Sequence, residues 1–180
     1  MTILTREVAT ELQVRGDQRI LFGPLLPWGV EARVLDRGRI VVETFERGAL
    51  AATDPGRVAL TVTHPRDNAQ LPVGVTLSID ERADAAWGEW KVSRTAAGDE
   101  LLELAADQVP LGLSIGFREL AGGSRWSADR RRVVRTRAEL DHLAVVRQGA
   151  YLGAGVVGVR SEPEHIARPL LLTLARLRHE

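Results

Sequence analysis

The sequence contains no cysteine. That excludes disulfides, thiolate metal sites and a cysteine nucleophile, and it fits a reducing compartment. Neither sign of charge is in excess. The 24 basic and 24 acidic side chains cancel, so bulk electrostatics gives no reason to expect nucleic acid or a membrane surface as partner. No apolar run approaches the roughly 18–20 residues that cross a bilayer. The opening residues Met1-Thr2-Ile3-Leu4-Thr5-Arg6-Glu7 meet charge at once and develop no signal-peptide core, so the chain reads as intracellular and soluble. Internal repeats, low-complexity segments, metal-ligand spacing and a phosphate-cradling glycine loop are also missing, and no cofactor or metal is expected.

What is present is mostly strand pattern: period-two alternation with short Gly/Pro punctuation. Val8, Thr10, Leu12 and Val14 alternate with polar residues as one half-buried strand. Arg19 to Pro24, Glu31 to Leu35 and Arg39 to Thr44 follow, the last two split by the turn Asp36-Arg37-Gly38. Thr44 is placed to cap a short helix, Phe45 to Leu50. Val58 to Thr63 is β-rich and ends at His64-Pro65, where proline keeps His64 extended. Gly74 to Ile79 and Trp87 to Ser93 read as a hairpin pair, and Asp99 to Gln108 as a short helix.

Leu111 to Phe117, Arg130 to Thr136 and Ala138 to Val146 are further strands. From Pro163 the pattern is helical, with Ile166, Leu170, Leu174 and Leu177 on one face. The length of 180 residues suits one domain. The expected architecture is mainly β with peripheral helices (α+β): a closed or nearly closed antiparallel β-barrel over 1–160, with 161–180 as its helical tail.

The strongest chemical signal is Leu111-Gly112-Leu113-Ser114-Ile115-Gly116-Phe117. A lone serine in an apolar strand reads equally as a core hydroxyl bonded to a neighbouring carbonyl or as a nucleophile. The flanking glycines favour close approach by a substrate backbone. The Gly-x-Ser-x-Gly spelling is not the α/β-hydrolase elbow, because βαβ alternation is missing. A serine nucleophile needs a base and a group that orients it. Of the four histidines, His165 and His179 fall on the polar tail and read as solvated. His64 and His142 close or interrupt apolar strands, so with Ser114 they can form a Ser-His-His set on three strands.

At this point the sequence resembles the prohead protease family of tailed phages, which cut capsid and scaffold proteins during head maturation. Arg39-Ile40-Val41-Val42-Glu43-Thr44-Phe45-Glu46-Arg47-Gly48-Ala49-Leu50 resembles the family's early E-x-F-x-x-G-A-F segment, and Val58 to His64 its histidine strand. Leu71-Pro72-Val73-Gly74 resembles the P-I-G strand start, and Leu113-Ser114-Ile115-Gly116-Phe117 matches the L-S-I-G-F serine strand. Glu139 to Val146 resembles the late L-x-E-I-S-L-V strand. The likeness runs from about Arg19 to Val159.

The resemblance implies Ser114 as nucleophile and His64 as general base. Many members carry glutamate where His142 falls; a histidine there resembles the related herpesvirus maturation proteases (assemblins), which use Ser-His-His. Imidazole supports His64 less than a carboxylate would, so a modest catalyst is expected. Asp141 competes for the third role, but strand alternation points it away from His142. For the oxyanion, backbone N–H groups near Arg147, Gln148 and Gly149 are the candidates, with the Arg147 side chain as a further donor.

The basic stretch Arg125, Arg130, Arg131, Arg132, Arg135 and Arg137 reads as a solvated hairpin face rather than a nucleic-acid or scaffold contact. Trp87 and Trp90 read as core. The expected function is therefore a serine endopeptidase that cleaves the major capsid protein precursor and scaffold protein, and in some cases itself, inside the assembling procapsid in the host cytoplasm. A weak homodimer through the tail helix is expected, with no nucleic-acid or membrane partner. The alternatives are a catalytically silent capsid-assembly module and, third, a small esterase.

Overall fold

The structure is a computed structural model that describes residues 3–8, 12–62 and 71–147. It is mainly β, with two sheets and, among the described residues, one α-helix. The larger sheet holds β1 (Leu4–Val8), β9 (Leu111–Glu119), β12 (Ala138–Arg147), β6 (Ala59–Thr61), β7 (Gly74–Glu81), β8 (Ala85–Val92), β3 (Ile20–Pro27) and β2 (Gln13–Arg15), in that order across it. The smaller sheet is ordered β10 (Ser124–Trp126), β11 (Arg132–Arg135), β5 (Arg39–Phe45) and β4 (Ala32–Asp36).

The larger sheet is a curled half-barrel and not a closed barrel. Its curl follows from connectivity. Strands β1 and β2 are consecutive in the chain yet form opposite edges. A flat sheet of this width would separate them by roughly 34 Å at about 4.8 Å per strand. The five Cα steps from Val8 to Gln13 reach only about 18 Å, so the sheet has to bend round. Among the described residues β1 and β2 do not pair with each other, which leaves the barrel open.

The expectation of an antiparallel sheet also needs correction, because β6 lies parallel to β12 and β5 parallel to β11. The alternation from Val8 to Val14 is not one strand but the end of β1 and the start of β2. After Phe45 the chain makes turns instead of the expected helix from Phe45 to Leu50, with Gly48 at φ 89°.

Other elements follow the sequence closely. The expected hairpin is β7–β8. The turn at Arg37-Gly38 joins Asp36 to its partner Arg39, with both central residues at positive φ (49° and 81°), the two-residue connection that matches strand twist. Helix α1 runs Ala96–Ala106, starting three residues earlier than expected because Thr95 caps it: its Oγ1 accepts from the Gly98 N–H at 3.1 Å. Gln108, at φ 56°, turns the chain out of the helix. Leu101, Leu102 and Ala105 face the main core, where they join Leu21, Leu60, Trp90, Leu113, Ile115, Phe117 and Leu143. A smaller cluster of Ala32, Val34, Val41 and Val133 sits under the second sheet.

The two sheets meet where Phe45 of β5 packs edge-on against Phe117 of β9, ring centroids 5.2 Å apart. The tail from 148 onward, including the expected helix and its apolar stripe, lies outside the described residues, as does 63–70.

Candidate active site

Strand β9 carries Ser114. Leu113, Ile115 and Phe117 point into the core, so period two puts Gly112, Ser114 and Gly116 on the other face. Ser114 is fully buried (0% exposed), and its Oγ donates to the Arg6 carbonyl of β1 at 3.1 Å. Its cross-strand partners are Glu7 on β1 and Ala144 on β12.

His142 lies on the adjoining strand. Gly116 stands opposite it, and the His142 ring lies over that glycine so closely that a Cβ at position 116 would overlap it. The absence of a side chain at Gly116 is therefore what lets the imidazole lie flat on the sheet. Ser114 and His142 are diagonal neighbours on one face, a relation that places Cα atoms roughly 7–8 Å apart. On its other side β12 pairs with β6, where His142 is level with Ala59, Leu143 with Leu60 and Ala144 with Thr61. Thr61 Oγ1 fastens that pairing by donating to the Leu143 carbonyl at 3.0 Å.

His64 itself lies outside the described residues; the described chain stops at Val62, directly beyond β6. The three strands that carry or lead to Ser114, His142 and His64 are thus adjacent, in the order β9, β12, β6. Of the oxyanion candidates, Arg147 ends β12 opposite Leu111, three positions along from Ala144, and Gln148 and Gly149 are outside the described residues.

The expected orientation of Asp141 is overturned. The register of β12 against β9 shifts between Leu140 and His142, a β-bulge that leaves Asp141 without an opposite residue. Leu140 and Leu143 both enter the core, so Asp141 and His142 both emerge on the outer face. Asp141 Oδ2 lies 3.1 Å from His142 Nδ1. An ionised carboxylate only accepts, so this contact places the proton of a neutral His142 on Nδ1. Arg118, which ends the Ser114–Gly116–Arg118 row, lies 3.3 Å from Glu139 and 3.9 Å from Asp141 Oδ1.

Beside the serine strand is a group that the sequence reading did not find. Arg135, assigned to the solvated stretch, is 0% exposed. Its guanidinium reaches Glu43 Oε1 at 2.6 Å, Glu119 Oε2 at 2.7 Å, Ser124 Oγ at 2.9 Å and Asp36 Oδ1 at 3.3 Å. Glu43 is shared with the buried Arg6, which pairs with it through Nε and through Nη2, the latter at 3.0 Å. Both guanidinium groups also approach the Phe117 ring, at 5.5 Å and 5.9 Å. Arg6 and Glu119 belong to the larger sheet and Glu43, Asp36 and Arg135 to the smaller, so the cluster joins the two.

The signal was in the alternation: Arg132-Val133-Val134-Arg135 puts Arg135 on the same side as Val133, which is core. The rest of the stretch is exposed where the structure records ion pairs. Arg125 is bidentate with Glu46 (3.0 and 2.9 Å), which holds the Glu46 carboxyl below its ordinary range, and Arg132 pairs with Glu31. Trp90 is fully buried as expected, whereas Trp87 is half-buried under Arg82, whose guanidinium lies 3.9 Å from its ring centroid.

The curled sheet, with the Ser114 strand between β1 and the His142 strand, is similar to a prohead protease-like fold. One solved structure with this likeness is the capsid assembly protease of bacteriophage T4, gp21. It matches with a TM-score of 0.53 and 11% identity, over 82% of this chain and 98% of that one. No protein-family model matches the sequence, and no curated protein matches it.

Proposed function

We propose that this chain is a serine endopeptidase of capsid maturation, with Ser114 as nucleophile, His64 as general base and His142 as the residue that orients His64. The observation that carries the reading is the adjacency of β9, β12 and β6. Residues 114 and 142, drawn from separate parts of the sequence, belong to two of these strands, and residue 64 comes three residues after the third, β6, ends at Thr61. Histidine at the third position is the variant that the resemblance to the herpesvirus maturation proteases supplies.

In this mechanism His64 takes the Ser114 proton, Oγ attacks the peptide carbonyl, and His64 returns the proton to the leaving amine. The resulting acyl-enzyme is released by water through the same exchange. The Ser114 hydroxyl has one proton to give, and here it goes to the Arg6 carbonyl. Attack therefore requires Oγ to leave that carbonyl and turn to the base. The substrates in this reading are the major capsid protein precursor and the scaffold protein, met inside the assembling procapsid in the host cytoplasm, with a weak homodimer as the form in solution.

A second reading is favoured by one specific observation. Ser114 is buried and satisfied by a main-chain carbonyl, the state of a core serine. On that reading the fold is a silent module that binds capsid or scaffold subunits. Co-expression with the capsid precursor, wild type against Ser114→Ala, separates the two by intact mass. Discrete precursor fragments made only by wild type support the peptidase. An intact precursor with both proteins, still co-purifying, supports the silent module.

A further inference from the structure

The bulge in β12 does more than turn one side chain. It spends one extra residue to put a carboxylate and an imidazole on the same side of the strand, 3.1 Å apart, directly over the glycine two residues past Ser114. From this geometry we infer that Asp141 is a positioning residue for His142, fixing which of its ring nitrogens carries the proton. The inference rests on the serine-peptidase reading above.

The chemistry is a matter of tautomer and charge. With its proton held on Nδ1 by Asp141, His142 keeps Nε2 as its acceptor nitrogen, the one the serine-peptidase reading requires for orienting the base. The carboxylate also compensates for the weakness of a histidine third member. In that reading, positive charge that reaches His142 during the reaction meets the negative charge of Asp141. Arg118 gives the arrangement its handedness. Asp141 Oδ1 faces the Arg118 Nε while Oδ2 faces His142, so the two carboxylate oxygens have different neighbours. Glu139 on the same strand shares the Arg118 guanidinium at 3.3 Å, leaving Asp141 a lesser part of that charge.

That asymmetry gives an isosteric test. In Asp141→Asn the amide oxygen is drawn toward the donor-only guanidinium of Arg118, which turns the NH2 toward His142 Nδ1. A donor there forces the His142 proton to Nε2, the wrong nitrogen. The readout is the ring-nitrogen NMR shift of His142 in the full chain carrying Ser114→Ala, with His142→Gln used for assignment. The expected result is protonated Nδ1 with Asp141 and protonated Nε2 with Asn.

The catalytic arm is measured on the capsid precursor with Ser114 intact. Asp141→Asn is expected to lower kcat roughly 10- to 100-fold with KM within about 2-fold, less than the ten-thousand-fold loss seen when the group touching a catalytic histidine is neutralised. In a His142→Glu background, which has no tautomer to set, the same change is expected to cost less than about 2-fold. An unchanged His142 nitrogen shift, or an equal loss of kcat in the His142→Glu background, overturns the inference. If wild type and Ser114→Ala both leave the precursor whole, the peptidase reading falls. The nitrogen shifts then still decide whether Asp141 sets the His142 tautomer.

Discussion

Gly116 is a residue whose only contribution is what it lacks. Because the His142 ring lies where a Cβ would be, Gly116→Ala has to lift the imidazole or bend β9. Overpacking of this kind costs about 1–3 kcal/mol. The expected outcome is a protein that still folds, melts lower and cleaves the precursor at least about tenfold more slowly, read by thermal melt and intact mass. Ser114→Ala should divide the two readouts differently. It removes one hydroxyl-to-carbonyl hydrogen bond, worth about 1 kcal/mol, and in the serine-peptidase reading abolishes cleavage outright. Ser114 and His142 were legible in the sequence because each interrupts an apolar strand. The outer-face position of Asp141 was not, since a bulge changes the phase of alternation without altering the letters on either side of it.

At the scale of elements, the strands and the helix were legible because burial follows their periods. In β4 every second residue from Ala32 to Asp36 is buried, and in α1 Leu101, Leu102 and Ala105 share a face. Turns were legible where one backbone conformation dictates one residue. Gly38, at φ 81° in the β4–β5 turn with no neighbour near its missing Cβ, is such a case. Gly38→Ala should destabilise by about 1–2 kcal/mol through backbone conformation alone, with cleavage unaffected. Chemical denaturation at constant m-value checks this.

The loop that joins β10 to β11 is expected to respond to acid. The Ser127 hydroxyl donates to Asp129 at 2.6 Å, and the Arg131 N–H adds a second bond at 3.0 Å, so the Asp129 carboxyl sits below its ordinary range. A depressed carboxylate contributes stability above its unfolded value of about 3.9 and loses it as pH falls through the lower folded value. The melting difference between wild type and Ser127→Ala should therefore be largest above pH 5 and narrow in stronger acid.

The molecule as a whole depends on the charged cluster between its sheets. Removing one partner of a buried ion pair leaves the others uncompensated and costs about 3–5 kcal/mol. Arg135→Ala should fall in that range, and Arg135→Lys should not rescue it, because a single ammonium cannot reach Glu43, Asp36, Glu119 and Ser124 at once. Arg132→Ala, three residues away on the exposed Glu31 pair, should cost less than about 1 kcal/mol. Equilibrium denaturation of the three variants tests the contrast. The division into two sheets was not legible, because periodicity assigns each strand an inner face but not its neighbour. The segment from Glu43 to Leu50, recognised only by its letters, has a physical sense in the fold. Glu43 anchors both arginines, Phe45 meets Phe117, and Ala49 and Leu50 are buried.

The order of strands also fixes when the site can exist during synthesis. Strand β12, the last described strand to leave the ribosome, is the one that joins β9 to β6 in the middle of the larger sheet. Until β12 has emerged, the serine strand lacks its inner neighbour and Gly116 has no imidazole lying over it. In the serine-peptidase reading, a nascent chain therefore carries Ser114 before the strand that completes its site has joined the sheet.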